Sequence, residues 1–273
     1  MEILINELSL TGQFKDENEF LDNFDSILKM IKLIDKLNFS IAKEFMFFDV
    51  AVTANHKLSD FLRLRTDRAK KMKQFLAKLA QNPPFWNEIQ KHNCSQNTYN
   101  YNSNDICNTS LAESSERDRI VLSFKHNDFL NIILEIQKNN TPMNIYNLID
   151  KHHFLGHLLS TSQIEPLKYC QFKFENTNLN FSKIEDDYGF NLLETSQQRD
   201  EFIDSFKKVS QMSWQNIINS DGLQYKRYKG KEFGNQPIYK FRVTQKYRCF
   251  GYREEDIFFI LRFEIDHKMS DNG

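Results

Sequence analysis

Glycine and proline are scarce in this chain, with 8 and 5 among 273 residues. The scarcity favours long regular elements over tight turns and excludes a collagen-like repeat. No apolar run reaches the roughly 18–20 residues that span a bilayer, so no membrane partner or membrane-embedded segment is expected. Residues 1–10 carry two Glu and no basic cluster, which is not the pattern of a secretory leader. The four cysteines, Cys94, Cys107, Cys170 and Cys249, form no CxxC pair. That spacing argues against a zinc site and against a disulfide framework, and a reduced, cytoplasmic protein is the expectation. GxxxxGKS/T, GxGxxG, HExxH and GxSxG are all missing. NTPase, Rossmann, zincin and α/β-hydrolase chemistry therefore lose their main support, and the sequence calls for neither a cofactor nor a metal.

What is present is a core and an uneven charge. Apolar residues make up 40% of the chain, and Phe alone occurs 25 times. That is enough for one large domain or two modest ones. Residues 221–253 hold nine basic side chains: Lys226, Arg227, Lys229, Lys231, Lys240, Arg242, Lys246, Arg248 and Arg253. Only Asp221 and Glu232 oppose them, so this segment is +7 and the rest of the chain −8. Such asymmetry points to contact with nucleic acid. The plainer alternative is that the acidic part docks on the basic part. Glu185, Asp186, Asp187 and Glu194 are the candidates to cover Arg242 and Arg248.

Residues 3–10 read as a short strand. Residues 17–38 predict an amphipathic helix, because Phe20, Leu21, Phe24, Ile27, Leu28, Ile31, Ile34 and Leu37 recur at three- and four-residue steps. Asp16 is its candidate cap, and Glu19 stands at the capping-box position. Helices are also expected over 41–52, 58–81, 110–118, 128–138, 144–160 and 197–211, and strands over 119–124 and 169–175. The polar stretch 92–109 reads as a long loop. Three aromatic and β-branched strands follow in close succession, over 238–244, 247–252 and 257–263. The expected fold is α+β, with a largely helical N-terminal region over 1–199 and a C-terminal helix and antiparallel β-sheet module over 200–273.

Three short patterns could carry chemistry. His152, His153 and His157 form HHxxxH on a predicted helix, although helical His at this spacing more often lie at a surface or core edge. Arg119 and His126 have the R-x6-H spacing of helical HEPN-type ribonucleases, but the residues between them read as strand. Glu264, Asp266 and Lys268 approach the E-x-K element by which PD-(D/E)xK nucleases bind Mg²⁺, yet no upstream Asp stands on a paired strand.

The strongest constellation is the basic meander itself. Alternation puts Lys240, Arg242 and Thr244 on one strand face, opposite Tyr239, Phe241 and Val243. Lys246, Arg248 and Tyr252 are polar on the next strand, and Arg262 and His267 belong to the third and its end. A sheet face bearing Lys, Arg, Tyr and His suits a phosphodiester. Metal-free RNA cleavage needs a base, an acid and cations for the developing charge. The alternative is a basic face that is only solvated.

A helix, then GLQYKRYKG, then IYKFRVTQKYRCFGYREEDIFFILRFEIDH, resembles the RelE/ParE superfamily of bacterial toxins over residues 200–270. The chain as a whole has the look of bacterial abortive-infection and phage-defence proteins. The resemblance implies a helix paired with a curved antiparallel sheet. It also implies a toxin-type, metal-independent endoribonuclease acting on RNA in growth arrest or phage defence, with an antitoxin or phage protein as a further partner. On that reading Lys226, Arg227, Lys229, Lys240, Arg242 and Lys246 hold nucleic acid, and Arg248, Tyr252 and His267 are the catalytic candidates. The alternative is a non-catalytic nucleic-acid- or protein-binding component of a defence system. The family's members are about a third as long, and some 200 residues precede the resembling part.

Overall fold

Ile3, Leu4 and Ile5 are almost wholly out of water. A strand with neither face exposed belongs in the interior of a sheet with parallel neighbours. The computed structural model, which describes residues 1–63, 65, 67, 70, 73–75, 77, 83–230, 233 and 237–270, has that arrangement. The fold is α+β, and the chain forms two units, Met1–Phe154 and Leu155–Gly273.

The first unit is built on a seven-stranded sheet. Its strands are β1 (Glu2–Ile5), β2 (Ser40–Ala42), β3 (Tyr99–Tyr101), β4 (Asn104–Asp105), β5 (Ile120–Leu122), β6 (Ile133–Lys138) and β7 (Thr141–Leu148), in the order β2-β1-β5-β7-β6-β3-β4. β2, β1, β5 and β7 run parallel, whereas β6, β3 and β4 add on antiparallel. Parallel neighbours need a crossover, and helix α1 (Glu17–Lys36) makes it between β1 and β2. The Asp16 side chain accepts from the Glu19 N–H and so caps α1. Glu19 reaches back to the Lys15 N–H rather than to that of Asp16. Phe20 and Phe24 stack on Phe124 with centroids 5.9 and 6.2 Å away.

Most of the helix expected over 128–138, and the first residues of the one expected over 144–160, form instead the hairpin β6–β7, whereas residues 151–160 are helical as expected. Leu134 and Ile136 are buried while Ile133 and Glu135 are exposed, a period of two. Asn139 and Asn140 sit at φ 50° and 62° and turn the chain in two residues, the geometry that Asn tolerates best after Gly. Residues 41–52 hold β2 and one 3₁₀ turn, Phe47–Asp49, rather than a helix. The helix expected over 58–81 begins as 3₁₀ helix Leu58–Arg63; most of its remainder lies outside the described residues.

The reading of the cysteines is corrected. Cys94 and Cys107 are disulfide-bonded, with Cα atoms 6.0 Å apart. β3 and β4 double the chain back inside the segment read as a long loop, which brings the two residues together. Helix α2 (Ser110–Ser115) follows. Its Glu113 is wholly buried and accepts from the N–H groups of Lys91 and His92, from His92 Nδ1 at 2.6 Å, and from Arg117 Nε. Burial acts to raise its carboxyl, but these hydrogen bonds hold it below the usual range. Glu7 is buried too, but its Oε1 accepts from the Ser110 N–H at 2.7 Å and its Oε2 has no partner among the described residues. Burial pushes this carboxyl up to about 7.

The boundary at Phe154/Leu155 falls inside helix α3 (Lys151–Ser160), well before residue 200. The reason is sheet pairing: β8 (Leu179–Asn180) joins β12 (Ile257–Glu264), so residues upstream of 200 belong to the second unit. Its five strands, completed by β9 (Lys226–Arg227), β10 (Tyr239–Arg242) and β11 (Arg248–Glu254), run in the order β8-β12-β11-β10-β9. The expected strand over 169–175 is helix α4 (Pro166–Lys173), opened by Pro at its first position. Cys170 and Phe174, four apart, are both buried. Helix α5 (Ser196–Ser210) has a Thr195/Gln198 capping box, and α6 is Trp214–Ile218. Among the described residues no helix is long and apolar enough to cross a membrane.

Reducing the Cys94–Cys107 bond, or replacing both residues by Ser, is expected to lower the stability of the first unit by about 3 kcal/mol, as for a loop of this size. Urea unfolding with and without reductant measures it; an unchanged midpoint would refute it. Glu7 predicts a pH effect. A carboxyl with a folded value above its unfolded one stabilises at low pH, and that contribution is lost as pH rises through the folded value. Stability from this group therefore declines between pH 4.5 and about 7. The stability difference between wild type and Glu7→Gln should shift by about 3 kcal/mol across that window.

Candidate nucleic-acid interface

Alternation along β10–β12 gives this sheet two unlike faces. Phe241, Cys249, Phe258 and Phe263 are buried on one. There Phe202 of α5 stacks on Phe263 at 4.3 Å and Phe206 approaches it at 5.8 Å. β11 takes a register shift between Phe250 and Gly251. Glycine is required at the shift, because a Cβ on Gly251 would lie 2.2 Å from the Phe259 carbonyl oxygen. The other face carries Lys240, Arg242, Arg248, Phe250 and Tyr252.

Most cations on that second face already have protein partners. Lys240 Nζ donates to the Ser270 carbonyl at 3.0 Å and lies 5.4 Å from the centre of the Tyr228 ring. Arg242 Nη2 donates to Gln224 Oε1 at 2.7 Å. Arg248 Nη1 donates to the carbonyls of Thr244, Gln245 and Tyr247, tying off the β10–β11 turn. Arg262 pairs with Glu185 at 2.7 Å and lies over the rings of Tyr188 and Phe233. Glu185 thus meets Arg262 rather than Arg242 or Arg248.

The three residues assigned to catalysis do not form one cluster. Arg248 opens β11, just past the β10–β11 turn and opposite Glu264. His267 lies three residues past Glu264 at φ 65°, its Nδ1 3.1 Å from Ser270 Oγ. His267 and Lys240 are therefore joined through Ser270, at the Arg248 end of the sheet. Tyr252 stands four residues along β11 from Arg248, about 13 Å at the usual rise, and stacks on Phe259 at 5.0 Å. Burial and the charge of Glu254 raise its phenol.

A different set converges at the β9 edge. Tyr225, Lys226, Arg227, Tyr239, Arg253, Ile218 and Glu255 line a hollow of about 410 Å³. Tyr225 and Tyr239 are stacked, 5.1 Å apart and 3° from parallel. Burial raises the Tyr225 phenol, which keeps it neutral; its hydroxyl has no hydrogen-bond partner among the described residues. Arg253 is held in place by stacking 4.0 Å over Trp214 and by donating to the Glu255 carbonyl and Asp256 Oδ1. The side chains of Lys226 and Arg227 are exposed and make no hydrogen bond or ion pair among the described residues. Lys229 and Lys246 are likewise exposed, outside this hollow.

Sequence reasoning found Lys226 and Arg227 but missed the groups that complete the hollow. Arg253 was visible in the charge count, and Tyr225 directly precedes Lys226. Tyr239 was read only as lying opposite Lys240 and Arg242, on the Phe241 side of its strand, where the structure also has it, and Glu255 gave no signal. The remaining patterns have structural roles. The His152 and His153 N–H groups are capped by Asp150. Arg119 directly precedes β5, and His126 lies four residues past its end, as the cap of the 3₁₀ turn Asn127–Phe129. Glu264 caps the N–H groups of Met269 and Ser270, each at 2.7 Å, and Asp266 pairs with Lys268.

The second unit is thus a helix-backed antiparallel meander with a tyrosine-walled basic hollow at one edge. Comparison with protein-family models, curated proteins and solved structures finds no match to the chain.

The division between engaged and open cations predicts unequal costs. Arg248→Ala, which strips three turn carbonyls of their donor, should destabilise the second unit by about 1–3 kcal/mol. Lys226→Ala and Arg227→Ala should stay within about 0.5 kcal/mol of wild type. Chemical denaturation of the three variants tests this, and equal losses would contradict the division.

Proposed function

We propose that the second unit binds single-stranded RNA through the hollow walled by Tyr225 and Tyr239. The supporting observation is that open cations, Lys226 and Arg227, lie beside stacked aromatic rings in one concavity. Single strands are held in this way: bases stack on rings while Lys and Arg follow the phosphates. A duplex would offer no free base face to the rings.

A second reading is metal-independent RNA cleavage of toxin type, in the cytoplasm, in growth arrest or phage defence. Its support is the linkage of His267 to Lys240 through Ser270, with Arg248 at the same end of the sheet. His267 would exchange the proton of the 2′-hydroxyl or of the leaving oxygen, and the two cations would stabilise the charged intermediate. An antitoxin or a phage protein would then be a regulatory partner.

Fluorescence anisotropy with labelled RNA over a KCl series tests the first reading. Phosphate contacts by Lys226 and Arg227 predict a log K against log salt slope of about −1.4. Removing Lys226 and Arg227 together should bring it close to zero, and Tyr239→Ala should cost about 1–3 kcal/mol of binding. A flat salt profile rejects RNA as the ligand. Incubating RNA with wild type, Arg248→Ala and His267→Ala in EDTA tests the second reading. Intact RNA with wild type, or equal cleavage by all three, rejects it.

A further inference from the structure

One carboxylate lines the otherwise basic hollow. Glu255 stands at the tip of the β11–β12 turn with φ 49° and is exposed. Its carboxylate makes no hydrogen bond or ion pair among the described residues. Arg253, two residues away, is directed elsewhere: its Nε meets the Glu255 carbonyl oxygen and its Nη2 meets Asp256. The hollow therefore presents a two-oxygen acceptor beside Tyr239 and beside the open cations of β9.

A carboxylate only accepts hydrogen bonds, and it can take two parallel donors. The four RNA bases differ in what their Watson–Crick edges offer to such a group. Guanine presents N1–H and the 2-amino group side by side, two donors matched to two oxygens. Adenine sets its 6-amino group beside the N1 acceptor, and cytosine sets its 4-amino group beside the N3 acceptor. Uracil has a single N–H between two carbonyls. In the last three cases one carboxylate oxygen faces a lone pair, which is repulsive as well as unsatisfied.

We propose that the hollow is a guanine subsite, in which a base stacked against Tyr239 presents N1–H and its 2-amino group to the Glu255 carboxylate. Lys226 and Arg227 hold the adjoining phosphates. This rests on the RNA-binding reading and adds base selectivity to it. Stacking and phosphate contacts supply affinity for any strand, whereas the bidentate contact supplies discrimination. Arg253, fixed by Trp214, lies near enough in the chain to keep the turn that carries Glu255 in one conformation.

The test measures binding of the full chain to the labelled pentanucleotides UUXUU, with X guanosine, inosine, adenosine, cytidine or uridine. Guanosine should bind at least about tenfold more tightly than adenosine, cytidine or uridine, the discrimination of one bidentate contact. Inosine keeps N1–H and lacks the 2-amino group, so it should fall between. Glu255→Gln replaces one acceptor by a donor. It should bring guanosine to the level of uridine when both are measured on the variant. Equal binding of all five ligands, inosine equal to guanosine, or selectivity that survives Glu255→Gln would each overturn the guanine subsite while leaving RNA binding in place. Failure of every pentanucleotide to bind, together with a flat salt profile, would overturn both.

Discussion

The candidate interface depends on the ring layer between α5 and the meander. Phe202 and Phe206 meet Phe263, and Phe206 also meets Phe241, so one helix holds strands from both ends of the β10–β12 run. A two-stranded hairpin in water is marginal without such a partner. With one face committed to the helix, and Phe250 on the other packed against Tyr228 and Phe233, the sheet offers a ligand its β9 edge. The same device recurs in the first unit, where Phe20 and Phe24 of α1 close over Phe124. Phe is the common currency because a flat ring buries a large apolar area with few rotatable bonds.

Basic residues on this sheet do two different jobs, and their hydrogen bonds separate them. Arg248 satisfies three carbonyls of a turn, and Arg262 is enclosed by an acid and two rings. A ligand phosphate could recruit either only by displacing contacts that the fold needs. The side chains of Lys226 and Arg227 have none to lose among the described residues. A strongly basic segment is thus partly scaffold, and the fraction free for a ligand is smaller than the charge suggests.

Two buried carboxylates in the first unit make the matching point for acids. Burial disfavours the charged form of both Glu113 and Glu7. Glu113 is met by backbone N–H groups, His92 and Arg117, and stays ionised below its ordinary value. Glu7 accepts from Ser110 on one oxygen, its other oxygen has no partner among the described residues, and its carboxyl rises. The number of donors, rather than burial itself, decides the sign.

Sequence periodicity alone determined the helix at 17–36 with its Asp16 cap, the α5 helix and the three strands of the meander, because each carries its own repeat of 3.6 or 2 and its own end signals. It also put Lys240 and Arg242 on one face, since alternation along a strand is a local property. It could not give the hairpin at 133–148, in a stretch read as two helices, nor the Cys94–Cys107 bond, which needs the chain to fold back first. Two-residue strands such as β8 and β9 have no period to detect and exist only because a neighbour offers its edge. The hollow belongs with them. Tyr225, Tyr239, Arg253 and Glu255 come from a loop, a strand and a turn, and no sequence spacing joins them. Only strand pairing, a contact between residues distant in the chain, brings their side chains to one place.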